Sequence, residues 1–289
     1  MLPPPSIASW LDGAHVHLRD AAPDLASLVS DYVGEAHFGA TVIAGDLAAL
    51  PAGARILEVG AGAMLLSCAL RGVGYLVTAV EPVGSGFSHM ARLRELVLDY
   101  ARQRGHVPEL LAIPAEALDG VGAFDYAFSI NVMEHVNDVG RVLQRVWYAL
   151  RPGGAYRFVC PNYRFPFEPH FGIPAIGTKA LTWRLFRSRI LASRVVVDPV
   201  GTWTSLNWIT VARVRRICQH EFGVRPTFDR EVTYRFLRRA VDDPSFQRRH
   251  GTVMRALARA LDATGLTALV RLVPVSVQPA MSCRLTRPL

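Results

Sequence analysis

From Arg55 to Pro161, short apolar runs alternate with stretches whose apolar residues return every three or four positions. RILEVG (55–60), YLVTAVEP (75–82), LLAIPA (110–115), FDYAFSI (124–130) and AYRFVCP (155–161) read as strands, brief and apolar almost throughout. Between them, Met64 to Arg71 reads as a helix. Phe87, Met90, Leu93, Val97 and Tyr100 mark a second helix by their spacing. Val139, Val142, Leu143, Val146, Trp147 and Leu150 mark a third, strongly amphipathic one, stopped by RPGG (151–154). Strands separated by helices of this length pair in parallel through right-handed crossovers, with helices on both faces of the sheet. The fold class is therefore α/β.

The flanks are less regular. The Pro-rich start, to about Asp20, reads as an arm or loop, and residues 24–50 as one or two helices. After Pro161 the rhythm breaks: 162–206 is rich in aromatics, Pro and Gly with no clean period. A helix resumes at 210–222, VRPTFDREV (224–232) has strand character, and 233–270 reads as helical. In that last stretch Arg255 and Arg259 share one face, and Val253, Leu257 and Leu261 another. PAMSCRLTRP (279–288) alternates as a strand does. Three parts result: an N-terminal arm and helices (1–50), a core (51–161), and a partly helical C-terminal elaboration (162–289) that also completes the sheet.

Several classes are excluded. No uncharged apolar run reaches the ~18 residues of a membrane-spanning helix, and MLPPPSIASW lacks the basic-then-apolar order of a secretory leader. Cys68, Cys160, Cys218 and Cys283 show no paired spacing, which argues against a zinc cluster and a disulfide framework. A cytoplasmic setting without a bound metal is the expectation. Charge is unevenly placed: residues 1–160 carry 11 Arg against 16 acids, whereas 161–289 carry 21 Lys or Arg against 8 acids. The second part is suited to face something acidic, such as a phosphate group, an anionic membrane surface or a nucleic acid.

The segment LEVGAGAM (57–64) follows the first strand, at the edge where open α/β sheets bind ligands. A dinucleotide fingerprint would place a third glycine at Leu65, and its pyrophosphate would be repelled by Glu58. Glu81 closes the next strand 21 residues after Gly60, the distance at which an acid meets a ribose hydroxyl pair. Two acids flanking a glycine turn suit a ligand with a ribose, a cation and no pyrophosphate.

At these residues the chain resembles the class I (Rossmann-like) S-adenosylmethionine-dependent methyltransferases. The resemblance covers roughly 50–165 and rests on LEVGAGAM, VTAVEP, IPAEAL, FDYAFSINVMEHV and LRPGGAYRFVCPN, in order and at family spacing. It implies a seven-stranded, mostly parallel sheet whose last strand is antiparallel, with PAMSCRLTRP the candidate for it. It implies S-adenosylmethionine as cofactor. Glu58, Gly60, Ala61 and Gly62 would line its methionine part, and Glu81 with Pro82 would meet the ribose. Ala115 and Glu116 would flank the adenine, and Ser129, Ile130 and Asn131 would floor the sulfonium. Met64 replaces the family's third glycine, and Pro114 stands where many members place an acid.

Methyl transfer to a hydroxyl benefits from a general base. His135, in NVMEHV, and Glu168 and His170, in PNYRFPFEPHFGIP, are the candidates; Tyr163, Trp203, Asn207 and Trp208 are candidate walls. SINVMEHV after the fourth strand is unlike the Asn-Pro-Pro-Tyr-type loop of base N-methyltransferases. The acceptor expected is a small-molecule or lipid- or sugar-linked hydroxyl, with a phosphorylated form within reach of the arginines. The alternatives are a cofactor-binding module without catalysis and an RNA-associated methyltransferase.

Overall fold

The computed structural model describes residues 5–82, 88–194, 196–243, 256, 259–260 and 262–289. Its seven-stranded sheet has the order β3-β2-β1-β4-β5-β9-β8, formed by β1 (Arg55–Val59), β2 (Leu76–Val80), β3 (Glu109–Leu111), β4 (Phe124–Ile130), β5 (Leu150–Pro161), β8 (Thr227–Asp229) and β9 (Ala280–Thr286). β1 pairs in parallel with β2 and β4, β2 in parallel with β3, and β8 runs antiparallel to β9. PAMSCRLTRP thus supplies a strand of the sheet, as expected. A two-stranded antiparallel hairpin, β6 (Phe167–Glu168) and β7 (Ile173–Pro174), stands apart from it.

Two compact units make up the chain. The first holds Met1–Ile130, Gln144–Arg157 and Thr286–Leu289. It opens with α1 (Pro5–Ala21), where the sequence suggested an arm. The proline-rich opening masks a helical stripe: Ile7, Trp10, Leu11, Ala14 and Leu18 recur every three or four residues and are all buried. A proline in the first turn costs no intrahelical hydrogen bond. A single helix, α2 (Ala26–Leu47), follows and buries Val29, Val33, Ala40, Ile43 and Leu47. α3 (Leu65–Gly72) and α4 (Ser88–Arg102) take the expected places, Phe87 lying outside the described residues. The run LLAIPA is a strand only to Leu111; past Pro114 it becomes a 3-10 turn over Ala115–Ala117. α5 (Val139–Ala149) buries Val139, Val142, Leu143 and Val146.

RPGG does not separate helix from strand: β5 begins at Leu150 and contains it. Gly153 N–H donates to Arg287 O and Arg287 N–H to Gly154 O, both at 2.9 Å, so pairing reaches back across the motif. A Cβ on Gly154 would come within 2.9 Å of Arg151 O and 3.1 Å of Asp125 O, which explains the glycine.

The second unit holds Asn131–Leu143 and Phe158–Leu285. Its stretch 162–206, aperiodic in sequence, contains the hairpin, α6 (Lys179–Leu191) and α7 (Pro199–Ser205). Thr178 caps α6 by accepting from Leu181 N–H, and Asp198 caps α7 by accepting from Gly201 N–H. α8 (Val211–Phe222) matches the expected helix, and the expected strand at 224–232 shrinks to β8 before α9 (Glu231–Asp242) starts. Of the helical reading beyond α9, Val253, Arg255, Leu257 and Leu261 lie outside the described residues, and 266–272 is a 3-10 helix. Asn162 Nδ2 donates to Gln278 O at 2.8 Å and Thr233 Oγ1 to Gln278 Oε1 at 2.9 Å, a buried polar strut within this unit. All four cysteines are free and buried. No helix among the described residues is long and apolar enough to cross a membrane.

Candidate functional site

In the first unit, the end of β1 builds the glycine turn. Gly60 and Ala61 N–H groups both donate to Val80 O, at 2.8 and 3.2 Å. The chain then passes through Gly62 (φ 53°) and Met64 (φ 64°) into α3. A Cβ on Gly62 would meet Met90 Cε at a tight 3.1 Å, and its positive φ favours glycine. Met64 keeps the left-handed backbone of a glycine while burying its side chain completely. The substitution leaves the bend of the turn intact and stores strain in it.

Glu58 is buried on β1, and its Oε2 accepts a short hydrogen bond from Ser67 Oγ of α3. Burial pushes its carboxyl up to about 8; the Ser67 bond opposes the rise and the charge of Glu81 adds to it. Glu81 Oε2 accepts from Gly62 N–H at 3.0 Å. Its pKa is also raised, by burial, against the pull of the Gly62 bond and the Arg94 charge. The charge of Glu81 thus discourages the ionisation of Glu58 across one turn of backbone. A cationic ligand relieves both, and a diphosphate would worsen both. These acceptors fit a sulfonium amino acid joined to an adenosine.

The remaining residues expected at this cofactor sit unequally. Ala115 is buried and Glu116 half-buried in the 3-10 turn, while Pro82 is exposed. Ser129 is fully buried, with its hydroxyl 2.8 Å from Tyr156 OH, so its side chain serves the sheet. Ile130 ends β4 half-buried. Asn131, of the second unit, holds φ 55° and donates its N–H to Val159 O at 2.8 Å. Asparagine is among the few non-glycine residues suited to that conformation.

The second unit brings together residues from four segments. Glu168 of β6 is fully buried; Oε1 accepts from Tyr163 OH (3.2 Å) and His170 N–H (3.1 Å), and Oε2 from Phe171 N–H (2.8 Å). His170 Nδ1 lies 2.6 Å from Glu168 Oε1. Burial opposes charge on His170, but the Glu168 hydrogen bond, the Glu168 charge and that of Glu134 outweigh it and raise the imidazole above its ordinary 6.5. The ring of His135 stands edge-on at 5.0 Å from that of His170 and shares a 2.8 Å hydrogen bond with Ser205 Oγ. Burial, with the charges of His170 and Lys179, holds His135 down to about 3. One imidazole is thus neutral and its neighbour is basic. One ligand atom from each of Glu134, His135 and His170 lies within 4.8 Å of the others, a grouping invisible to a search by sequence spacing.

Asn207 clamps the turn that carries His135: Nδ2 donates to Met133 O and Val136 O, and its N–H to Glu134 O, all at 2.8 Å. It is a positioning residue rather than a wall. Tyr163 stacks on Trp208 at 5.2 Å, Trp203 meets Trp208 edge-on at 6.3 Å, and Trp183 stacks on Trp203 at 5.6 Å. Ser205 and Lys179 carry no motif and were not singled out by sequence. Lys179 donates to Thr204 O (2.9 Å) and Leu206 O (2.6 Å), tying α6 to the end of α7.

Residues 37–220 match the methyltransferase-domain family. The chain is 41% identical over 271 residues to the uncharacterized protein Rv1509 of Mycobacterium tuberculosis (strain ATCC 25618 / H37Rv), covering 94% of this chain and 92% of that one. It is 35% identical over 199 residues to the ubiquinone biosynthesis O-methyltransferase of Methylocella silvestris, covering 57% of this chain and 72% of that one. Among solved structures, phosphoethanolamine N-methyltransferase 2 of Haemonchus contortus superimposes with a TM-score of 0.51 at 13% identity, over 86% of this chain. This chain spans about half of that one (52%), and at such identity the likeness is one of fold.

Proposed function

From the premise that this chain belongs to the class I S-adenosylmethionine-dependent methyltransferases, we propose that it methylates a hydroxyl of a small-molecule or lipid- or sugar-linked acceptor, with His170 as general base. Glu58, Gly60, Ala61, Gly62 and Glu81 would hold the cofactor, with Ala115 and Glu116 on its adenine side. When bound, S-adenosylmethionine supplies an electrophilic methyl group on a positively charged sulfur.

The observation that carries the hydroxyl reading is the Glu168–His170 pair. An alcohol or phenol must shed a proton as it is methylated, and a neutral imidazole can take it. Glu168 holds the proton on Nδ1 of His170, which leaves Nε2 to accept the acceptor's proton. The buried carboxylate then stabilises the imidazolium, the role an aspartate plays in a serine-protease triad. His135, held neutral, adds no competing positive charge. The Tyr163, Trp208 and Trp203 rings offer flat apolar surface to an acceptor. The Methylocella silvestris relative is an O-methyltransferase by name, in keeping with this reading. The setting that suits it is the cytoplasm, with peripheral contact to a membrane.

Turnover of methyl-labelled donor against a panel of phenols, quinols, sugar-linked alcohols and amines tests it. Transfer to hydroxyls that collapses in His170→Gln is the expected result. Transfer to amines alone overturns the hydroxyl reading. Tight donor binding with no transfer to any acceptor points instead to a binding module, and activity that requires RNA points to an RNA-associated enzyme.

A further inference from the structure

Several arginines among the described residues are answered by an acid. Arg92 pairs with Asp24, Arg151 with Asp125, Arg157 with Asp46, Arg238 with Asp262, Arg239 with Asp243 and Arg271 with Glu231. The stretch from Pro169 to Val197 has no acid of its own to answer its arginines. It contains Lys179, Arg184, Arg187, Arg189 and Arg194 and no Asp or Glu. Arg184, Arg187, Arg189 and Arg194 are all exposed, and none makes an ion pair among the described residues. Arg189 reaches only Gly172 O, at 3.2 Å.

The same surface is apolar. α6 buries Thr182 and Ile190 on its inner side. On its outer side Leu181 and Leu185, 43% and 58% exposed, lie one turn apart and form a crest. Arg184 and Leu191 (45% exposed) share one shoulder of that crest, and Arg189 the other. Val197 and Val200, just beyond the helix, are 69% and 55% exposed. Exposed leucines set among arginines that no acid neutralises form a contiguous patch of the kind that marks a contact surface. A polyanion such as RNA would use the arginines and leave the leucines in water. Burying both at once calls for a surface that is negative outside and apolar beneath, with arginine stems lying along the boundary.

We propose that the outer face of α6, continued by Val197 and Val200, docks on an anionic lipid bilayer. The leucines enter the boundary between headgroups and acyl chains while Arg184, Arg187, Arg189 and Arg194 meet lipid phosphates. A second apolar stretch, 266–281, is less suited. Its arginine, Arg271, is already held by Glu231 and lies over the Tyr234 ring at 3.9 Å, so it has little to offer a lipid. The docking does not depend on which acceptor is methylated or on which group is the base.

Co-sedimentation of the full chain with phosphatidylcholine vesicles, with and without phosphatidylglycerol, tests it without any acceptor. Binding is expected to the anionic vesicles alone and to weaken as salt rises. Arg184→Gln and Arg187→Gln should each weaken it about fivefold, and the Leu181→Ser/Leu185→Ser double variant about tenfold or more. Unchanged donor affinity by calorimetry and an unchanged melting temperature would show that these surface variants still fold. Equal binding to both vesicle types, or variants that bind as the parent does, overturns the proposal. So does a dimer that the leucine variant dissociates while neither form binds lipid, and so does salt-sensitive capture of RNA with indifference to vesicles.

Discussion

Glu58 and Glu168 are both buried carboxylates, and the protein treats them in opposite ways. Glu58 receives one hydroxyl hydrogen bond and faces a second carboxylate across the glycine turn, so burial prevails and its pKa climbs to about 8. Glu168 receives hydrogen bonds from Tyr163 OH and the His170 and Phe171 N–H groups, and pairs with the His170 ring. One site is short of positive charge and the other has its hydrogen-bond donors built in. The contrast matches the roles proposed for each. A group that awaits a cationic ligand is left under-compensated, whereas a group that must hold a proton on a neighbour is satisfied in advance.

The sharpest break of this comparison is at Glu168. Glu168→Gln keeps the shape but removes the charge that holds the His170 proton, and kcat should fall roughly 10²- to 10⁴-fold while donor affinity stays. The pH profile separates this from a packing defect. A base works when neutral, and His170 is raised above 6.5, so parental activity should rise with pH through a midpoint above that value. In the variant, burial acts with less opposition, and the midpoint should move down. A midpoint that stays in place, with only a lower plateau, would remove the dyad from the chemistry.

A smaller effect should come from the backbone of the glycine turn. Met64→Gly relieves a left-handed strain of about 1 kcal/mol, but it empties a fully buried side-chain site, which costs about 2–5 kcal/mol. Packing should win, leaving the variant less stable by about 1–4 kcal/mol in urea melts. A more stable variant would mean that the turn, unlike the dyad, is held by strain rather than by contacts.

The two regions were also unequally legible. The glycine turn, Glu58 and Glu81 lie on successive strand-to-helix connections of a regular sheet, so spacing alone brings them together. Glu168, His170, His135 and Tyr163 could be singled out by residue type, but the surroundings of His135 could not. Lys179 and Ser205 belong to α6 and α7, in a stretch whose apolar residues follow no period because caps and stacked tryptophans organise it. The metal-like proximity of Glu134, His135 and His170 joins two segments distant in sequence. α1 was missed for the opposite reason. Its stripe is regular, but the prolines before it read as a break. Ser129 was placed by position along β4, and only the structure shows its hydroxyl committed to Tyr156.

The mildest test returns to Glu58. With a folded pKa near 8 against an ordinary value near 4.5, Glu58 is protonated in the free protein at neutral pH. Its contribution to stability is therefore fully present below the ordinary value, and is lost as pH rises through about 8 and charge is forced into the core. A cationic donor favours the ionised form, so its binding at neutral pH should expel a proton and tighten as pH rises toward 8. Calorimetry in two buffers of different ionisation enthalpy reads that proton directly. Glu58→Gln should abolish the release, weaken donor binding about tenfold, and flatten the loss of melting temperature as pH rises from 4.5 to about 8. Proton release that survives the substitution would assign the coupling to Glu81, and the deficit of charge at this turn would then be centred on the ribose acid.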